Sequence, residues 1–175
     1  MDPFEVLGLP KEFALDLAVL EQRQRDLSRV VHPDKFAGGG AGERRRALSR
    51  AVDVNAAVRV LRDPIRRAEA LLASRGVRVD EAATPKASPA LLMDVMELRE
   101  ELASAKGKRD VDAVRRLATG VRARNDRVLA ALASALSGDS PGPADAALAL
   151  LGELRYLRRF LDEVRVIEED LEAAS

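Results

Sequence analysis

Hydrophobic residues recur along most of the chain at intervals of three and four, the spacing that places them on one side of an α-helix. A first short helix is predicted at Asp2 and Pro3, a typical cap followed by proline, and it ends before Gly8. A second helix is predicted after Asp16, its expected N-cap. The predicted apolar face of this helix consists of Leu17, Leu20, Leu27 and Val31.

The second helix is expected to stop near His32, because Pro33 disfavours helical geometry in the residue before it. A glycine-rich loop, FAGGGAGE, follows. A long third helix is predicted from about Glu43 to Arg62, and a fourth ends near Gly76. Residues 77–87 carry few large apolar side chains and are predicted to link a first domain, 1–76, to a second, 88–175.

Three further helices are predicted in the second half, over about Ser88–Ala105, Asp110–Ser137 and Ala144–Ala173. Long amphipathic helices with short connections favour an antiparallel three-helix bundle. The predicted buried stripe of the last helix is Leu150, Leu154, Leu157, Leu161 and Val164. The pattern as a whole predicts an all-α protein, with a helical hairpin domain followed by this bundle.

The fifth predicted helix has more apolar residues than one buried face requires. Its predicted core stripe is Leu91, Val95, Leu98, Leu102 and Ala105. Its opposite side carries Leu92, Met93 and Met96 beside Glu97 and Glu100. Tyr156 is likewise predicted to lie away from the core stripe of the last helix. A helix buried between two layers would explain the surplus, but the two glutamates favour an exposed binding face.

Composition narrows the classes of function. Lys plus Arg equals Asp plus Glu, 29 each, so total charge does not favour nucleic-acid binding. The chain has no cysteine, which excludes disulfides and thiolate chemistry, and one histidine cannot form a His-rich metal site. No secretory signal or membrane span is visible, so we expect a cytoplasmic protein without membrane contact, bound metal or cofactor.

The single histidine lies in the segment RVVHPDKF. As a general base it would need a nucleophile or an orienting partner, and as a metal ligand it would need companions, neither of which the pattern supplies. A plain surface turn is the alternative. The helix before it bears a polar face with Gln22, Arg25 and Arg29, with Arg23 to one side and Lys35 after the turn.

HPDKF between two helices, followed by VNAAVRVLRDP, resembles the J-domain of DnaJ-type co-chaperones. The resemblance implies that the loop and the basic face contact a DnaK-type chaperone and stimulate its ATPase. The chaperone-binding residues that it implies are His32, Pro33, Asp34, Arg23, Arg25, Arg29 and Lys35. No catalytic residue is expected, because the chain would regulate a partner enzyme.

ELREEL after LLMD, with DPIRRAEALL and LRYLRRFLDEV, is similar to the HscB family over nearly the whole chain. This resemblance implies a co-chaperone of iron–sulfur cluster assembly whose bundle binds the scaffold IscU and whose J-domain presents it to the chaperone HscA. The scaffold-binding residues that it implies are Leu92, Met93, Met96, Glu97, Glu100 and Tyr156. Val31, Gln24 and Ser104 depart from the family pattern.

Two alternatives stay open from the sequence. The chain could be a J-domain adaptor for another client protein. It could also be a helical nucleic-acid binder that uses the arginine-rich segments RVLRDPIRR and RRLATGVRARNDR. The neutral total charge and the small number of aromatic residues argue against the second alternative.

Overall fold

A computed structural model describes residues 1–31, 40–80, 85–138 and 144–173. These residues contain seven α-helices and no β-strand, which confirms the predicted all-α class. The helices are α1 (Pro3–Leu7), α2 (Leu17–Val30), α3 (Ala41–Arg62), α4 (Pro64–Ser74), α5 (Pro89–Lys108), α6 (Val111–Ala135) and α7 (Ala144–Ala173). In the ranges that are described, no helix is long and apolar enough to cross a membrane.

Side-chain caps set several of the helix ends, as the sequence predicts. Asp2 accepts a hydrogen bond from the Phe4 backbone N–H at 2.9 Å, and Asp16 accepts one from Ala18 at 2.8 Å. Gly8 ends α1 in the left-handed conformation at φ 60°, which glycine adopts without a steric penalty. Both predicted N-caps are therefore confirmed.

The described residues divide into two compact units. One contains Met1–Val79 and a short segment that starts at Leu136, and the other contains Asp80–Ala135 and α7. In the first unit α3 packs against α1, α2 and α4. Glu21 of α2 meets Arg62 of α3, and Gln24 meets Asn55, so the two helices run antiparallel.

The core of the first unit is mainly aliphatic and includes two aromatic rings, Phe4 and Phe13. Its fully buried large side chains are Phe4, Leu7, Leu20, Leu61, Leu71 and Leu72. Leu20 of α2 and its C-cap Val31 are buried as predicted and Leu27 is half-buried, but Leu17 is 48% exposed, so its assignment to the core was wrong. Arg62, the last residue of α3, pairs with Glu21 of α2. Leu17 precedes Glu21 by about one turn, so it lies beyond the end of α3.

In the second unit α5, α6 and α7 pack pairwise as a three-helix bundle, as predicted. Ion pairs define their directions. Arg124 and Arg115 of α6 meet Glu153 and Glu172 of α7 in reverse order, so those two helices are antiparallel. Arg99 and Lys106 of α5 meet Glu163 and Asp170 of α7 in the same order, so α5 and α7 are parallel.

The buried stripes of the bundle differ in part from the predicted ones. Leu98 is only half-buried, whereas Leu102 is 1% exposed. On α7, Leu150 and Leu161 are also half-buried, and Leu151 and Phe160 occupy the core instead. Both residues are apolar in each of the adjacent pairs Leu150–Leu151 and Phe160–Leu161. The buried face of α7 is wide because this helix packs against both α5 and α6.

Candidate partner-binding surfaces

The outer face of α2 carries an exposed basic strip, Arg25 and Arg29. Arg25 donates two hydrogen bonds to Oε1 of Gln22, at 2.7 and 3.3 Å, and Gln22 in turn donates to Asp26 at 2.9 Å. The Arg29 side chain is 76% exposed, and it pairs with Asp26 at 4.0 Å. Both guanidinium groups therefore stay at the surface, on the side of α2 opposite its buried Leu20.

Arg23 contacts another helix, unlike Arg25 and Arg29, whose partners lie within α2. Its Nε donates a 2.7 Å hydrogen bond to the backbone oxygen of Leu7, at the end of α1. A Cβ atom at Gly8 would lie 2.7 Å from Nη2 of Arg23, so a larger residue there would displace the Arg23 guanidinium group. Arg23 thus connects α1 to α2, and its part in partner binding remains a prediction.

The other predicted chaperone-binding residues, His32, Pro33, Asp34 and Lys35, lie outside the described residues. The residues on either side of them are described. Val31 is the C-cap of α2, and Gly40 is the N-cap of α3. The His-Pro-Asp segment therefore connects the two antiparallel helices of the hairpin.

The predicted surplus face of α5 is exposed. Leu92 is 43% exposed, Met93 61% and Met96 62%, and Glu97 and Glu100 on the same side are also exposed. The buried residues of α5, among them Leu91 and Val95, lie on the opposite side. The expectation that Leu92, Met93 and Met96 are open to solvent is confirmed, and the alternative of a helix buried between two layers is wrong.

Tyr156 of α7 lies close to this face. It lines, together with Leu92, an open groove of about 1010 Å³ between α5 and α7. The Tyr156 ring is half-buried, and the guanidinium carbon of Arg159 stands 5.1 Å from its centroid, in cation–π range. The groove therefore brings Leu92 and Tyr156 together. We call Leu92, Met93, Met96, Glu97, Glu100 and Tyr156 the bundle face.

Arg124 is a residue of the same groove that the sequence pattern did not reveal. It lies on α6 and bonds Asp94 of α5 at 2.9 Å and Glu153 of α7 at 2.8 Å, so it connects all three helices. Burial by itself would lower the pKa of Arg124, but its hydrogen bonds to Glu153 and Asp94 outweigh this and raise that pKa. Charge alone could not identify it, because the pairing depends on the register between three helices.

The described residues contain no group of three or more His, Asp or Glu side chains placed to hold a metal ion. The candidate site of each unit is an exposed surface. The first presents the basic strip of α2, and the second presents an apolar face with an acidic border.

A helical hairpin with a His-Pro-Asp connection, followed by an antiparallel three-helix bundle, defines a co-chaperone of the J-domain class. Within that class, this chain belongs to the HscB family. A relative from Burkholderia multivorans, named co-chaperone protein HscB homolog, is 37% identical over 169 residues, 97% of this chain and 95% of that protein. A second, from Shewanella oneidensis, is 36% identical over 98% of this chain and 99% of that protein.

A family model and two solved structures agree with this assignment. The model described as the HSCB C-terminal oligomerisation domain matches residues 87–165. The structure of chaperone HscB from Vibrio cholerae has a TM-score of 0.85 and 34% identity, and it covers 98% of this chain and 99% of that one. Human co-chaperone protein HscB has a TM-score of 0.85 and 25% identity, with coverage of 95% and 81%.

Proposed function

We propose that this protein is a co-chaperone of iron–sulfur cluster assembly. Its bundle binds an IscU-type scaffold protein, and its J-domain delivers that scaffold to an HscA-type chaperone and stimulates the ATPase of the chaperone. The observation that carries the proposal is the bundle face, an exposed apolar surface with acidic residues in a chain of the HscB family.

The chaperone-binding half of the proposal rests on residues 32–34 and on the strip of α2. Proline restricts the backbone of the turn, so docking of the turn costs little conformational entropy. Asp34 can accept charge-assisted hydrogen bonds from an arginine of the partner. Arg25 and Arg29 are exposed and are not needed for the core, so they are available to steer the J-domain toward an acidic surface.

Stimulation of a partner ATPase does not require catalytic groups in the co-chaperone. A protein that binds one conformation of the ATPase more tightly than another shifts the partner toward that conformation. His32 therefore has no need to exchange protons, and the proposal assigns this chain a regulatory role. The chemistry of ATP hydrolysis belongs to the chaperone.

The scaffold-binding half rests on the contrast between the two sides of α5. Leu91 and Val95 already bury the inner side, so the exposed Leu92, Met93 and Met96 contribute little to the fold. Unbranched methionine side chains adapt to the shape of a partner surface. Glu97 and Glu100 border the apolar centre, so the partner is expected to place basic groups around an apolar patch.

Scaffold binding is tested by replacing Leu92, Met93 and Met96 together with alanine. We expect the binding free energy for the purified scaffold to weaken by about 2–4 kcal/mol, because apolar anchors dominate most interfaces. The free energy of unfolding should change by less than about 0.5 kcal/mol per site, since all three side chains are exposed. Isothermal titration and urea denaturation measure the two quantities on the same samples.

Two control variants separate the bundle face from the core. Val166→Ala removes an apolar side chain that is 51% exposed elsewhere on α7, and it should leave scaffold affinity unchanged. Leu102→Ala removes a buried side chain, and it should cost about 2–5 kcal/mol of fold stability. A triple variant that binds the scaffold like wild type, or that loses as much stability as Leu102→Ala, would show that the face is misassigned.

A further inference from the structure

The edge of the bundle face where α7 meets α5 carries a positive charge that has no part in the function described so far. Arg159 of α7 is exposed, and it lines the open groove together with Tyr156 and Leu92. Its guanidinium carbon stands 5.1 Å from the centroid of the Tyr156 ring, and its Nε donates a 3.4 Å hydrogen bond to the backbone oxygen of Arg155. These two contacts keep the Arg159 side chain beside the Tyr156 ring.

The carboxylates that line this groove already have partners within the chain. Asp94 and Glu153 both bond Arg124, at 2.9 and 2.8 Å, and Asp80 has a partner as well. By contrast, Arg159 forms no ion pair with any other described residue. The charge of Arg159 is therefore uncompensated, and its two Nη groups are available to a carboxylate from another molecule.

The opposite edge of the bundle face has the opposite charge. Leu92 lies beside α7, and helical spacing leads from it, across Met93 and Met96, to Glu97 and Glu100 on the outer side of α5. Both glutamates are exposed, and neither forms an ion pair with another residue that the structure describes. The apolar centre is thus bordered by a cation on the α7 side and by two anions on the far side.

We propose that the scaffold protein presents a carboxylate to Arg159 while its basic groups face Glu97 and Glu100, so that the bundle face fixes the orientation of its partner. This inference rests on the proposed function and deepens it. A planar guanidinium can donate two parallel hydrogen bonds to one carboxylate, and stacking on Tyr156 already restricts its side chain, so binding costs little further entropy. A scaffold docked the other way round would bring like charges together at both edges, which disfavours that orientation.

The charge at this edge is tested with Arg159→Glu in the full-length protein, titrated against the purified scaffold. We expect the Kd to rise by about tenfold at low salt, and by less as salt screens the interaction. The control Arg122→Glu makes the same charge change at an exposed position of α6 outside the groove, and its Kd should match that of wild type. Equal losses in both variants would overturn the inference, since they would report total charge.

Two milder variants separate binding of a carboxylate from support of the Tyr156 ring. Arg159→Met keeps an apolar side chain against the ring but removes the charge, and its Kd should rise by about fivefold at low salt. Arg159→Lys keeps the charge and should recover most of the affinity. Wild-type affinity in Arg159→Met, or a loss in Arg159→Glu that is as large at high salt as at low salt, would show that the charge does not bind the scaffold.

The partner carboxylate is located by neutralising the exposed acidic residues of the scaffold one at a time, Asp to Asn and Glu to Gln. One of these scaffold variants should lose affinity for the wild-type chain but not for Arg159→Met, which identifies a direct pair in a double-mutant cycle. If every scaffold variant changes affinity for both chains by the same factor, no carboxylate of the scaffold pairs with Arg159 and the inference is wrong.

The Leu92/Met93/Met96 triple alanine variant, assayed in parallel, separates failure of this inference from failure of the proposed function. If the triple variant loses scaffold binding while Arg159→Glu binds normally, the proposed function stands and the inference about Arg159 falls. If the triple variant binds the scaffold like wild type, the proposed function fails and the inference falls with it.

Discussion

At the level of single residues, the first unit depends on side chains that satisfy backbone groups and charges at helix ends. Asp2 caps α1 through the Phe4 N–H and also forms an ion pair with Lys11 at 2.7 Å. Lys11 contacts Glu5 as well, at 2.8 Å. Burial by itself would raise the pKa of Asp2, but the hydrogen bonds from Lys11 and Phe4 outweigh it and lower that pKa below 3.8.

A lowered carboxylate pKa gives a definite pH dependence. Asp2 should contribute its full charge-dependent stability above pH 3.8, and this contribution should be lost as pH falls through the lower folded-state pKa. Asp2→Asn keeps an oxygen that can accept from Phe4 but removes the charge. The gap in unfolding free energy between wild type and Asp2→Asn should therefore be present at pH 6 and narrow at acid pH, as measured by urea denaturation.

Asp2→Ala serves as the comparison, because it removes the cap as well as the charge and should cost about 1 kcal/mol more than Asp2→Asn at pH 6. A gap between wild type and Asp2→Asn that is the same at pH 6 and at acid pH would mean that the Asp2–Lys11 pair does not stabilise the fold.

At the level of elements, the sequence pattern predicted the helices well and their buried faces less well. Caps such as Asp2 and Asp16 are local, so they could be identified from a few adjacent residues. Leu17 was assigned to the core because periodicity does not show where a neighbouring helix ends. Leu150 and Leu161 were chosen over Leu151 and Phe160 because adjacent apolar residues leave the register open.

The site residues that lie together on one helix could be predicted from the sequence, whereas a residue that connects several helices could not. Leu92, Met93 and Met96 stood out because one helix face already supplied a core stripe. Arg124 could not be found in the same way, since its partners Asp94 and Glu153 are on two other helices.

Arg124 is expected to stabilise the bundle more than a typical surface ion pair does. Its side chain is 27% exposed, and its two carboxylate partners are on different helices. Arg124→Met should therefore lower the free energy of unfolding by about 1–3 kcal/mol, the range for hydrogen bonds to charged groups. Urea denaturation of the two proteins measures the difference.

The matched control is Arg115→Met, which removes the 3.2 Å pair between Arg115 of α6 and Glu172 of α7, both more than half exposed. This variant should lose less than about 1 kcal/mol, as exposed pairs usually do. Equal losses for the Arg115 and Arg124 variants would show that Arg124 has no special role in connecting the helices.

At the level of the whole molecule, the proposed function needs both units on one chain. Each unit has its own core, and each carries one proposed partner-binding surface. A chain that holds a scaffold on one unit and a chaperone on the other raises the effective concentration of each partner for the other. Two separate chains, each with only one working surface, would not provide this gain.

The most direct test of the account measures transfer of a fluorescent scaffold protein to the chaperone during ATP hydrolysis, with variants that each lack one surface. Asp34→Asn should bind the scaffold normally, and the Leu92/Met93/Met96 triple alanine variant should stimulate the ATPase normally, but neither should promote transfer. The account predicts that an equimolar mixture of the two variants also fails, whereas wild type succeeds. Transfer by the mixture at the wild-type rate would contradict the claim that one chain connects the two partners.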